Sequence, residues 1–387
     1  MKKVITALSN NKVQIGLLFF ITLFITIQRY FLVNNNHEIT PFNNYIIFKQ
    51  SYFHFMEGKD LYQHYRFEYY DLFKYSPTFA MCMAVLAYLP DVLGLFVWNF
   101  INVFVLYYSF SKLPFTSKKA MIYAGLFILV EVITTTQNSQ SNALLTGMII
   151  LAYVALQNKK VGQAALLIVS TIFIKLFGIV ALVMFLFYPN KVKSALYVFL
   201  WTVIIGVFPL LIISMDELIM MYKSWVDLLR NDHSVELKFS VMGFLHTWFG
   251  VPVEVKGKAL IVGALVFCVP LVRIKLFSNE RYRLLFLSSV LLWVVLFNHM
   301  AESATFIIAV SGIAIWFFTK KDKSMLDKVL LALTILFTLL SPTDIYPAYI
   351  RYNYFMPYVV KVVPCILVWI KINYELLTIK SKNRAIV

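Results

Sequence analysis

Charge is scarce in this sequence. Only 14% of its 387 residues are Asp, Glu, Lys or Arg, where soluble domains carry about 25%. A chain so poor in charge cannot cover a globular surface, which excludes a soluble domain. Cysteine is rarer still. Cys82, Cys268 and Cys365 all fall inside apolar stretches, with neither disulfide nor metal-ligand spacing, so they are expected to be buried and inert. No zinc-ligand pattern, nucleophile elbow, Walker loop or dinucleotide glycine pattern occurs. There is also no internal repeat or low-complexity segment. No cofactor is implied, and a divalent metal is left open.

Long apolar runs take the place of charge. Hydrophobic residues make up 60% of the chain and aromatics 17%, and the mean hydropathy is +0.76. Runs such as Val13–Val33, Ala143–Leu156 and Ala195–Ser214 approach the roughly 20 residues that cross a bilayer core. The first is too long for a removed signal peptide and has no small-residue cleavage site. The expected class is an all-α polytopic membrane protein, one integral membrane domain over residues 1–387.

The net charge of +16 belongs to this membrane reading and not to nucleic-acid binding, because the bases sit in short runs between apolar segments. These are Lys2, Lys3 and Lys12; Lys112, Lys118 and Lys119; Lys159 and Lys160; Lys191 and Lys193; Arg273, Lys275, Arg281 and Arg283; Lys320, Lys321, Lys323 and Lys328; and Lys371, Lys380, Lys382 and Arg384. The positive-inside rule puts these runs and both termini in the cytoplasm, with about twelve crossings. The outer segments are then Asn34–Pro77, Gln137–Asn142, Asp216–Val255, Asn298–Ser303 and Ser341–Asn353. Two stretches cross awkwardly. Pro90–Asp91 breaks Thr78–Ser111 into a short, re-entrant or tilted piece and a full span. Gly162–Pro189 must cross twice as two short helices, with Lys175 near their outer turn. Broken helices at membrane depth are tolerated where they line a protein cavity. The long, aromatic first outer loop holds Phe48–Met56, which reads as an interfacial amphipathic helix.

Ionisable groups at membrane depth are functional candidates because they are costly. Glu131 serves chemistry or bonds a neighbouring helix. The run Gln137-Asn138-Ser139-Gln140-Ser141-Asn142 offers uncharged donors and acceptors suited to a sugar, or it caps helices. Lys175, between Ile174 and Leu176, snorkels to the interface or binds an anion such as phosphate. His299 and Glu302 move a proton together, or Glu302 and Ser303 cap the next helix. Trp225, Asp227, Arg230, Asp232 and His233 lie in the later outer loop, as function or as solvated charge.

Motif order adds a resemblance. Gly58-Lys59-Asp60-Leu61-Tyr62 precedes Phe73-Lys74-Tyr75-Ser76-Pro77-Thr78-Phe79-Ala80. Then come Leu89-Pro90, Gln140-Ser141-Asn142-Ala143-Leu144-Leu145, Ile174-Lys175-Leu176-Phe177, Tyr188-Pro189-Asn190-Lys191 and Ser240-Val241-Met242-Gly243-Phe244-Leu245. From about residue 14 to 318 this series resembles glycosyltransferase family 87, the mannosyltransferase-like family of the GT-C superfamily. The resemblance implies a GT-C-like bundle with its active site on the outer side of a bacterial inner membrane, near the first outer loop. It implies a polyprenyl-phosphate-linked sugar as donor, a lipid or glycan as acceptor, and an inverting displacement. Lys175 and Arg230 would bind the donor phosphate. Gln137, Gln140, Asn142, Tyr62, Tyr75 and His299 would bind sugar or acceptor. The sequence departs from the family at one place: Asn44 stands where the family carries an aspartate, and an amide cannot take a proton. Glu302, Glu131, Asp60 and Glu57 are the replacement acids, Glu302 first because His299 is near and a helix start would half-bury it. Asn44→Asp would restore the family's acid. A transporter or lipid flippase is the rival class, although the internal pseudo-symmetry of transporters is missing. A catalytically silent binder of polyprenyl-phosphate sugar is the third.

Overall fold

The computed structural model describes residues 9–32, 40–231 and 237–380. Lys2, Lys3, Asp232, His233, Lys382, Arg384 and the start of the first outer loop lie outside the described residues. The chain is all-helical, with no strand among the described residues. Among the described residues, five helices are long and apolar enough to cross a membrane: Asn11–Phe31, Asp91–Ser111, Lys118–Gln137, Lys191–Leu211 and Val253–Val272. Ala348–Phe355 and Val360–Thr378, a pair bent by 79°, are apolar enough when taken together, as a broken span or a re-entrant loop. Asn142–Gln157, Val161–Ile174, Gly178–Phe187 and Ser303–Phe318 are apolar but shorter. The protein is therefore multi-pass.

The chain divides into two compact units. The first comprises Met1–Leu113, Val132–Ile179 and Val192–His233. Its Asp91–Ser111 helix packs on Asn11–Phe31 and on Asn142–Gln157, which also packs on Val161–Ile174. Gly147 makes the middle contact possible. A Cβ there would lie 2.9 Å from the backbone of both Val105 and Leu106. Small residues at helix interfaces let membrane helices approach this closely.

The core of this unit is aromatic. The Phe48 ring meets Tyr75, Phe79 and Trp98 edge-on, at centroid distances of 4.9, 5.3 and 5.3 Å. Such pairs add about 0.5–1.5 kcal/mol each beyond area burial. Phe48 lies on the Asn43–Met56 helix, which begins before the expected Phe48–Met56. Tyr45, Ile47, Phe48, Ser51, Tyr52, His54 and Phe55 on it are all buried. Its buried side joins the core of this unit, while Lys49, Gln50, Phe53 and Met56 lie on the opposite, less buried side. Gly58 ends it in the left-handed region (φ 66°). Lys59 N–H donates to His54 O at 2.9 Å and Gly58 N–H to Phe55 O at 3.4 Å, the Schellman pattern in which glycine avoids a Cβ clash.

The two awkward stretches have the expected breaks. Pro77–Cys82 and Ala84–Ala87 are short helices ahead of Pro90, and Asp91–Ser111 follows. Ser76 caps the first piece through a 3.2 Å bond from Phe79 N–H, with Pro77 in the first turn. Val161–Ile174 stops at Lys175, which is extended (φ −142°, ψ 141°).

The second unit comprises Pro114–Glu131, Val180–Lys191 and Ser234–Val387. Glu280–Leu296 packs along Phe306–Phe318, and Val363–Thr378 packs on both. Gly312 is the close contact here, 2.9 Å from Ser288 O at its would-be Cβ. At one end a charge network ties the helices. Lys320 Nζ donates to Asp327 Oδ2 at 2.6 Å and to Glu375 Oε1 at 2.9 Å, and Trp316 Nε1 reaches Glu375 at 3.3 Å. The cysteines depart from expectation: Cys365 is buried, but Cys82 and Cys268 are exposed. An apolar stretch in a membrane protein turns one side outward, so apolar context alone does not imply burial.

Overpacking a tight contact costs about 1–3 kcal/mol. Gly147→Val should lower the thermal midpoint in detergent clearly, whereas Gly125→Val, with nothing within 4 Å of its Cβ position, should not. Equal midpoints would mean that Asp91–Ser111 and Asn142–Gln157 are not in backbone contact.

Candidate active site

In the first unit the uncharged run between two apolar helices becomes a tightly held turn. The last carbonyls of a helix have no partner within it. Here three successive ones are satisfied by side chains. Gln137 O accepts from Arg29 Nε at 2.9 Å, Asn138 O from Asn44 Nδ2 at 2.9 Å, and Ser139 O from Trp98 Nε1 at 2.8 Å. Ser139 takes a positive φ of 52°, uncommon for a residue with a Cβ. Beyond it Gln140, Ser141 and Asn142 are buried. The Asn142 amide N–H donates to Gln140 Oε1. Asn102 Oδ1 accepts from Leu144 N–H at 3.1 Å, which satisfies a first-turn donor of the following helix.

Lys175 enters this turn from the helix break. Its Nζ donates to Asn142 Oδ1 at 3.1 Å. The ammonium also lies 5.7 Å from the Tyr75 ring centroid and 5.6 Å from that of Phe177, within the range of cation–π attraction. Gly178 lets the chain fold back sharply, because a Cβ there would be 2.0 Å from Thr171 Oγ1 and 2.7 Å from Ile168 O. Tyr75 is placed by its own backbone: Tyr75 O accepts from Tyr62 Oη at 3.0 Å, and Ser76 N–H donates to Phe173 O at 3.3 Å. Burial pushes the Tyr62 phenol well above its ordinary pKa, so it remains a neutral donor. The structure thus brings together Lys175, Asn142, Gln140 and Tyr75, with Tyr62 behind Tyr75 and Asn44 and Gln137 holding the turn.

Asp60 organises its own loop. Oδ1 accepts from Tyr62 N–H at 3.1 Å, Oδ2 accepts from Gln63 Nε2 at 3.0 Å, and its carbonyl accepts from Tyr65 Oη at 2.8 Å. This is the Asx-turn geometry of a short acid two residues before a backbone donor. Glu57 is exposed and pairs with Lys59 at 2.6 Å. Arg230 is exposed on the amphipathic Met215–Asn231 helix. With Lys223, Tyr222, Val203 and Gly206 it lines an open groove of about 840 Å³.

The second unit holds Glu131, His299 and Glu302. Glu131 is fully buried and paired with Lys361, Nζ to Oε1 2.8 Å. The same ammonium donates to Ser303 Oγ at 2.8 Å and Ser303 O at 3.2 Å. Glu302 is exposed, where its helix-start position suggested partial burial. Its carboxylate accepts from Lys238 Nζ at 3.1 Å, and it forms a capping box with Thr305. The His299 carbonyl accepts from Lys238 N–H at 2.9 Å, and the Ala301 carbonyl from Phe239 N–H at 3.1 Å. Among the described residues no group of three His, Cys, Asp or Glu side chains gathers where a metal ion could be held.

Sequence reasoning missed Lys361, Arg29 and Trp98. Lys361 carried the same signal as Lys175, a lone base between apolar neighbours (Val360 and Val362), but it was absorbed into a long apolar stretch. Arg29 and Trp98 act on backbone carbonyls far along the chain, which no local pattern marks.

Asn44→Asp would remove the donor to Asn138 O and set a carboxylate against it. The expected outcome is a loss of about 1–3 kcal/mol of stability, seen as a lower thermal midpoint. An unchanged midpoint would show that the amide does not hold the turn.

A model of glycosyltransferase family 87 matches residues 73–342. The match takes in Tyr75, Glu131, the Gln137–Asn142 turn, Lys175, Arg230, His299 and Glu302, and begins after Asn44, Asp60 and Tyr62. No curated protein matches the chain.

Proposed function

Because the chain belongs to glycosyltransferase family 87, we propose that this membrane glycosyltransferase moves a mannose-like hexose from a polyprenyl-phosphate donor to a hydroxyl of a lipid or glycan acceptor. The observation that carries the donor class is Lys175. Its ammonium is held at a helix break by an amide oxygen and two aromatic faces. Lysine meets phosphate as a point charge. Beside it, Asn142 and Gln140 supply the amide groups that suit sugar hydroxyls. Arg230, which lines a largely apolar groove together with Lys223 and Asp227, serves the same class of amphipathic anion.

In this reading the acceptor oxygen attacks the anomeric carbon with inversion, and the bond from that carbon to the phosphate oxygen breaks. The proton goes to a carboxylate, and polyprenyl phosphate leaves with the bonding pair. The leaving group is already anionic, so a cation matters more than a general acid. Asn44 is a hydrogen-bond donor to backbone and takes no proton. Glu131 is committed to Lys361, and Asp60 to its own loop. Glu302, an exposed acid of the second unit paired with Lys238, is taken as the base. His299, in the same turn, serves the acceptor.

The same proposal assigns a bacterial inner membrane, cytoplasmic termini and an active site on the outer side. The short apolar helices, with Glu280–Leu296 and the Met325–Leu339 segment, would complete about twelve crossings of a GT-C-like bundle. A catalytically silent binder is the second reading, and one observation favours it: the family's acid position is occupied by an amide built into the scaffold.

Lys175→Ala should weaken binding of polyprenyl-phosphate hexose at least tenfold with the thermal midpoint kept. Unchanged affinity would return Lys175 to an interfacial role. Glu302→Gln should lower the transfer rate about 10²-fold or more with donor binding intact. Wild-type turnover in Glu302→Gln would remove it as the base, and a protein that binds donor but never transfers would support the silent binder.

A further inference from the structure

The buried Glu131–Lys361 pair is an expensive feature that the proposed chemistry does not use. Lys361 is 2% exposed and Glu131 fully buried. Two charges taken out of water cost more than their attraction returns unless further hydrogen bonds complete the site. Lys361 has those bonds, and both go to Ser303. Its ammonium lies over the Phe306 ring, 4.9 Å from the centroid.

The chain also accepts backbone strain to deliver this lysine. Val359, two residues earlier, has a φ of 43°, a region that β-branched residues avoid. It lies at the 79° bend between Ala348–Phe355 and Val360–Thr378. Past the bend, Thr338 Oγ1 donates to the Lys361 carbonyl at 2.9 Å and fixes its backbone. Strained residues persist only where their surroundings over-determine them.

Ser303 is the residue after Glu302 and closes the Asn298–Ser303 turn. One side of that turn is clamped by Lys238 and Phe239 through the His299 and Ala301 carbonyls. Lys361 clamps its end. We infer that Lys361, neutralised by Glu131, is a positioning residue that sets the Asn298–Ser303 turn, and through it Glu302, for proton transfer. This rests on the reading of Glu302 as the base. Glu131 is then the counter-ion that lets a lysine reside at this depth, and not an acid of the reaction.

The test separates positioning from mere packing. Replacing both charges by apolar residues of similar size is often neutral for stability, so the double variant Lys361→Met with Glu131→Leu is the first arm. It should keep the wild-type thermal midpoint and the donor KM, while kcat falls about 10²-fold, as expected for a misplacement of about 1 Å. A folded double variant with wild-type kcat would overturn the inference. If the double variant does not fold, Ser303→Ala decides. It keeps the ion pair but removes the Oγ acceptor, and it should lower kcat with donor KM unchanged. Wild-type kcat in Ser303→Ala would overturn the inference equally. Glu302→Gln is run in parallel. If Glu302→Gln turns over normally, the assignment of the base has failed. If it is inactive while the Lys361 variants are normal, only the positioning role has failed.

Discussion

A polar group inside so apolar a chain persists only where another polar group receives it, and both candidate regions follow from that requirement. In the first unit the end of the Lys118–Gln137 helix would leave carbonyls stranded. Arg29, Asn44 and Trp98 come from three other segments to satisfy them. The turn they hold then fixes Asn142, and Asn142 fixes Lys175. In the second unit Glu131 and Lys361 cancel each other's charge, and the remaining protons of the lysine fall on Ser303. Each cluster is a chain of obligations that begins with one buried group.

The same requirement governs Asn44. It is an amide whose N–H the Asn138 carbonyl requires. A carboxylate there offers only acceptors at neutral pH. The amide is therefore part of how the turn is built, and an aspartate in its place would set two acceptors against one another. Glu302 differs from Glu131 in being exposed, although it too is engaged, with Lys238 and in a capping box with Thr305.

Much of this was legible in the sequence. Low charge and recurrent apolar runs gave the membrane class. Pro90 and the short stretch around Lys175 gave the two breaks, because proline and a lone charge interrupt apolar periodicity visibly. Lys175 and the Gln137–Asn142 run stood out as polar groups where polarity is costly. What could not be read is pairing across the chain. Glu131 and Lys361 are far apart in sequence, and nothing local to either names the other. The partners of the Asn43–Met56 helix were hidden for a related reason: an aromatic helix does not name the Tyr75, Phe79 and Trp98 rings that meet its Phe48. Exposure of Cys82 and Cys268 likewise depends on which side of a helix faces neighbours.

The central claim is transfer from a polyprenyl-phosphate sugar, and its most direct measurement uses purified protein in lipid bilayers with labelled polyprenyl-phosphate hexoses and a lipid extract as acceptor source. Label should appear in a new lipid or glycan product, with release of polyprenyl phosphate. Donor that binds but remains intact, with every hexose offered and acceptor extract in excess, would contradict it.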